Sequence, residues 1–104
     1  MVRRLSEKQR SEFTRLMSRA NAVFDDLGAT HCESEMVRQR AAALQEEIAA
    51  WLGANTEPVA AEMFKSVTGV PGVTGNIAPK YVPLYQRLRG RLLVLQQLAR
   101  TYCQ

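Results

Sequence analysis

The stretch Ser6-Glu7-Lys8-Gln9-Arg10-Ser11-Glu12-Phe13-Thr14-Arg15-Leu16-Met17-Ser18-Arg19-Ala20-Asn21-Ala22-Val23-Phe24-Asp25-Asp26-Leu27-Gly28 reads as one amphipathic helix that carries its own start and stop. Phe13, Leu16, Met17, Ala20, Val23, Phe24 and Leu27 recur at three- and four-residue steps, which draws one apolar stripe along a helix. Ser6 and Gln9 have capping-box spacing, so their side chains can satisfy backbone donors at the helix start. Arg10, Arg15 and Arg19 fall off the stripe. Gly28 can take the left-handed conformation that ends a helix. Asp25 and Asp26 oppose the macrodipole at that end, and a basic neighbour would relieve them.

The same punctuation recurs down the chain. Residues 32–52 form a second helical pattern, with Thr30 and Glu33 as capping box, Glu33 and Glu35 in the first turn, and Gly53 as stop. Its buried face is Val37, Ala41, Leu44, Ile48, Trp51 and Leu52. Residues 57–67 form a short third helix, capped by Asn55 or Thr56, with Pro58 where it costs no hydrogen bond. Val59, Ala60, Met63, Phe64 and Val67 are expected to face inward, and Gly69 follows. The stretch Thr68-Gly69-Val70-Pro71-Gly72-Val73-Thr74-Gly75-Asn76-Ile77-Ala78-Pro79-Lys80 cannot be helical and is long for a connection in a compact domain. It reads either as a functional loop or as a crossover that tucks Val70, Val73 and Ile77 into the core.

Residues 82–103 give the last helix, with a stripe of Leu84, Leu88, Leu92, Leu95, Leu98, Ala99 and Tyr102 and with Tyr85 at its edge. Leu93 projects nearly opposite Leu84, Val94 lies off the stripe's centre, and Arg91 falls inside the stripe. A helix apolar on more than one side buries more than one side. An arginine in such a stripe must be paired or lie at an interface. The expected architecture is all-α, a small four-helix bundle-like single domain with a short third helix and a long Gly/Pro loop before the C-terminal helix.

With 104 residues, 46% of them apolar and 23% charged, the chain has the make-up of one ordinary globular domain with a modest core. The start, Met1-Val2-Arg3-Arg4-Leu5-Ser6, turns polar at once and has no secretory apolar region, and no run is long enough to cross a bilayer. Two distant cysteines, Cys32 and Cys103, are then expected as free thiols in a cytoplasmic, bacterial protein that does not meet the membrane. Residues 1–20 carry six basic and two acidic side chains, residues 21–64 two basic and eight acidic, and residues 65–104 six basic and none acidic. Such a layout either compensates itself inside the fold or presents a positive surface to an acidic partner.

Chemistry is sparse. A catalytic centre needs clustered groups with complementary roles, and the chain has one histidine, His31. His31 and Cys32 would diverge by about 100° on a helix and could not share an ion. No metal-binding, phosphate-cradling or Cys-x-x-Cys spacing occurs. Glu46-Glu47 reads as a solvated helix face. No enzyme activity, cofactor or metal is expected.

The run Ile48-Ala49-Ala50-Trp51-Leu52-Gly53-Ala54-Asn55-Thr56-Glu57-Pro58-Val59 resembles a DNA-binding helix-turn-helix. Ala49, Gly53 and Val59 match its small, turn and apolar slots, and Ile48 and Leu52 its buried positions. The resemblance implies a recognition helix, yet Glu62 stands where the motif buries a side chain. That helix would offer mainly Glu57, Ala60, Ala61, Glu62 and Lys65 to the bases. Nucleic acid could instead meet the basic ends, among them Arg3, Arg4, Arg10, Lys80 and Arg89, interleaved with Tyr81 and Tyr85.

The leading expectation is a small non-enzymatic regulator or adaptor. It would act as a homodimer that docks on another protein, such as a transcription regulator, and inhibits or modulates it. Arg87, Arg91, Leu93, Val94 and Leu98 are its candidate partner-binding residues, because they hold the last helix's surplus apolar surface and its out-of-place charge.

Overall fold

The Ser6–Gln9 capping box forms as its spacing requires in the computed structural model, which describes residues 4–67, 69 and 77–103. The Ser6 hydroxyl accepts the Gln9 N–H at 3.2 Å and the Gln9 amide oxygen accepts the Ser6 N–H at 2.9 Å. The helix they start, α1, spans Glu7–Ala29 and buries Phe13, Leu16, Ala20 and Leu27, with Met17, Val23 and Phe24 half-buried.

Gly28 does not stop it. The chain runs through Gly28 and turns at His31 and Cys32, both left-handed, at φ 52° and 62°. The Cys32 N–H donates to the Leu27 carbonyl at 2.8 Å and the His31 N–H to that of Gly28 at 3.2 Å. These are the paired bonds of a Schellman motif, with His31 in the place glycine usually takes. The buried Leu27 and Cys32 side chains share one apolar cluster, the hydrophobic contact that accompanies this motif. Thr30 closes α1, its hydroxyl donating to the Asp26 carbonyl at 2.8 Å, so it is not the cap of the next helix as its spacing to Glu33 suggests.

That next helix, α2, spans Glu35–Asn55 and is capped by Ser34, whose hydroxyl accepts the Val37 N–H at 3.3 Å. Gly53 lies inside α2. Thr56 ends it instead, buried, with its hydroxyl on the Leu52 carbonyl at 2.6 Å. Helix α3 spans only Pro58–Lys65, beginning on Pro58 with no side-chain cap. Ala60, Ala61 and Phe64 face the core, and this turns Val59 and Met63 outward, 54% and 42% exposed, against the expected inward face. The two alanines bring the α3 backbone close to its neighbours, and that contact fixes the helix's rotation. After a 3-10 turn at Pro79–Tyr81, α4 spans Val82–Tyr102.

The helices pack in ring order α1, α2, α3, α4, with α1 and α3 at opposite corners. Neighbours run antiparallel. The start of α1 meets the end of α2 through Gln9 and Asn55, and meets the end of α4 through the Leu5 N–H on the Tyr102 carbonyl. Val67, just past α3, lies over Gly90 of α4, and a Cβ on Gly90 would come within 2.6 Å of the Val67 methyl. The body is elongated, 43 × 22 × 19 Å.

The core has two parts. The larger, at the α3 end, holds Phe13, Leu16, Ile48, Leu52, Phe64, Leu95, Leu98 and Tyr102. The smaller, at the other end, holds Leu27, Cys32, Val37, Ala41 and Leu88, with Ile77, Tyr81 and Tyr85 packed on it. Val70 and Val73 lie outside the described residues. No helix among the described residues is long and apolar enough to cross a membrane.

Replacing His31 with glycine removes a left-handed cost of about 1–2 kcal/mol and adds about 0.5–1 kcal/mol of unfolded-chain entropy. His31→Gly is therefore expected to raise the melting temperature by several degrees in calorimetry; a lowered value would contradict the motif. Gly90→Ala should not show the gain of about 1 kcal/mol that alanine brings to a helix interior. The same change in a Val67→Ala background should show it, measured by urea denaturation.

Candidate functional site

An arginine in an apolar stripe needs acceptors, and Arg91 finds them inside the chain. One of its terminal nitrogens donates to the side-chain oxygen of Gln45 on α2. The other donates to the Lys65 carbonyl at 3.0 Å. Lys65 is the last residue of α3, so Arg91 supplies a cation and a donor where helix carbonyls lack partners. Its guanidinium also sits 5.6 Å from the centre of the Phe64 ring. Gln45 is buried with both polar atoms of its amide bonded, the nitrogen donating to the Ala41 carbonyl at 3.0 Å. The Arg91–Gln45 pair crosses the bundle between the two parts of the core, beside a small apolar void of about 10 Å³. The Nε of Arg91 is buried and has no partner among the described residues. Burial lowers the pKa of Arg91, and the like charge of Arg87 one turn earlier lowers it further.

Outside this pair, α2, the end of α3 and α4 enclose an open cleft of about 370 Å³. Ala42, Ala49, Phe64 and Leu84 give it apolar surface, while Lys65, Arg87 and Arg91 bring three cations against the single carboxylate of Glu46. Lys65 pairs with Glu62 at 3.3 Å, and the only other ion pair among the described residues is Arg19–Glu47 at 2.8 Å. Arg87 and Arg91 therefore stand without a carboxylate partner. The wider groove between α1 and α2, about 520 Å³, is different: Arg19 and Glu47 on its wall neutralise each other, and Asp26 faces it with Arg40.

The sequence-predicted residues distribute unevenly. Arg87 and Arg91 meet in the cleft. Leu93 is 46% exposed on the outer side of α4, whereas Val94 is half-buried against the main core. Leu98 is 3% exposed and belongs to that core, so it is withdrawn from any docking face. Gln45 and Lys65 were not singled out by sequence. Gln45 had a signal, because it interrupts the buried face of α2 just as Arg91 interrupts that of α4.

The residues proposed for nucleic acid do not converge. Arg4 and Arg10 lie at the start of α1, beside the end of α4, while Lys80 lies just before α4, at the opposite pole; Arg89 is exposed midway along α4. Arg3 lies outside the described residues. Tyr81 has Arg38 at 4.5 Å and Lys80 at 5.0 Å over its ring, and Tyr85 stacks on Phe24 at 4.9 Å. Val59, which a helix-turn-helix would bury, is exposed, and Gly53 makes no turn. His31 is exposed while Cys32 is buried, so the two side chains face different surroundings. Burial raises the thiol pKa of both Cys32 and Cys103.

The chain matches no protein-family description, no curated protein and no solved structure with which it was compared.

Gln45→Ala strands an Arg91 donor in a half-buried place and is expected to cost about 1–3 kcal/mol in urea denaturation. Gln45→Leu combined with Arg91→Met removes both polar partners and should recover most of that loss. Equal stability of Gln45→Ala and wild type would show that the pair does not hold the bundle.

Proposed function

We propose that this chain is a small non-enzymatic adaptor or regulator that acts by binding proteins. It pairs with a second copy of itself through the outer sides of α3 and α4 and docks on a further protein, such as a transcription regulator. The observation that carries this reading is the placement of exposed apolar bulk. Of the four large apolar side chains that are exposed among the described residues, Val59, Met63 and Leu93, at 54%, 42% and 46% exposure, lie on these two adjacent helices, and the fourth, Met36, lies apart at the start of α2. Val59 and Met63 are one turn apart on the same flank of α3.

Magnitudes set the strength of the pairing. Full burial of such a side chain contributes about 1.5–3 kcal/mol, and these three are already about half buried, so each adds about 0.75–1.5 kcal/mol. A two-fold pairing uses each twice. Six such contributions reach about 9 kcal/mol at most, so against an association cost of at least about 4 kcal/mol the dimer is weak and concentration-dependent, with a Kd no tighter than about 0.2 mM.

Sedimentation equilibrium tests the pairing. The wild-type chain is expected to shift from monomer toward dimer as concentration rises to roughly 1 mM. Leu93→Glu and Met63→Glu should stay monomeric with unchanged helical circular dichroism. A wild-type chain that is monomeric throughout, or variants that dimerise equally, would overturn this reading.

A further inference from the structure

Among the described residues, the shortness of α3 leaves a corner of the bundle only partly filled. Helix α3 has 8 residues, whereas α2 and α4 have 21 each. At 1.5 Å per residue, α3 covers about 12 Å of a groove about 32 Å long. Ile77 and Tyr81 close the far end, packed on the smaller part of the core. Between them and Lys65 lies the open cleft, which follows α2 from Ala42 to Ala49 and α4 from Leu84 to Arg91. That is eight residues on each helix, so about two turns.

The cleft is apolar on one side and cationic on the other. Arg87 is exposed and has no ion pair among the described residues. Arg91 directs one N–H of each terminal nitrogen to a neutral acceptor, an amide oxygen and a backbone carbonyl, and no carboxylate among the described residues pairs with its charge. Two guanidinium groups one turn apart repel each other, and Glu46 on the opposite rim pairs with neither. An arriving carboxylate would relieve that repulsion, and guanidinium groups suit carboxylates through paired N–H donors.

We propose that this cleft receives an acidic amphipathic segment of a partner protein, with its Asp or Glu carboxylates on Arg87 and Arg91 and its apolar side chains against Leu84, Ala42 and Ala49. The proposal rests on the protein-binding reading above and gives it a ligand chemistry. It does not depend on the dimer, because the dimer uses the outer sides of α3 and α4.

The test uses the full chain, labelled with nitrogen-15, and a blocked helical peptide of leucine and glutamate at three- and four-residue spacing. The same peptide with glutamine for glutamate, acetate, inorganic phosphate and a short DNA duplex are the comparison arms. The glutamate peptide is expected to bind, to move the Arg87 and Arg91 Nε–Hε resonances, and to weaken as salt rises. The glutamine peptide, and the Arg87→Gln variant with the glutamate peptide, should each bind roughly fivefold more weakly or worse. Arg87 makes no hydrogen bond to the described residues, so this variant keeps the fold, as circular dichroism verifies. Leu93→Glu should bind the glutamate peptide as wild type does, which separates this result from the dimer's. Equal affinity for both peptides, or no effect of Arg87→Gln, overturns the proposal. So do equal resonance shifts from acetate or phosphate alone at matched concentration, or displacement of the peptide by duplex DNA.

Discussion

The guanidinium of Arg91 is the interaction around which the bundle is arranged. It stands at the level where the larger part of the core gives way to the smaller, and it reaches two other helices at once. Through Gln45 it fixes α4 against α2, its diagonal neighbour. Through the Lys65 carbonyl it ends α3 at that level. A charge in this position is costly unless its donors are met, so the position of α3's end and the rotation of α2 are both constrained by it.

From that constraint the surface follows. Because α3 stops at Arg91, the described residues fill the corner it shares with α2 and α4 only in part, and the cleft there carries Arg87 and Arg91, two of the cations without an ion pair among those residues. Because α3 turns Ala60, Ala61 and Phe64 inward, Val59 and Met63 are left outside. The acidic middle of the chain and its basic last third are brought together across α2 and α4. They do not neutralise each other there, since Glu46 leaves Arg87 and Arg91 unpaired. The cleft offers donors, a positive field and apolar surface.

The helices themselves were legible because local rules and burial agree along most of the chain. Ser6 and Gln9 read as a cap and are one, and the stripes of α1 and α4 face the core nearly as periodicity places them. The ends were less legible, for identifiable reasons. Glycine marks a left-handed stop only where the chain needs one, and here His31 takes that conformation in a Schellman turn secured by the burial of Leu27 and Cys32. Gly53 was passed over because Thr56 could close α2 with its own hydroxyl. The facing of α3 escaped periodicity because eight residues offer too few turns to define a stripe, and close approach at the alanines decided it. The site was half legible: Arg91 was recognised as needing a partner, but a single stripe does not show which polar residue on another helix will meet it.

Hydrogen exchange at the Arg91 Nε–Hε group tests the central claim most directly. A side chain held between α2 and α3, with Nε out of contact with solvent, predicts exchange slower by an order of magnitude or more than at exposed Arg89 and Arg100. Exchange at the same rate as those two arginines would mean that Arg91 lies in water, and the bundle would have to be held in register some other way.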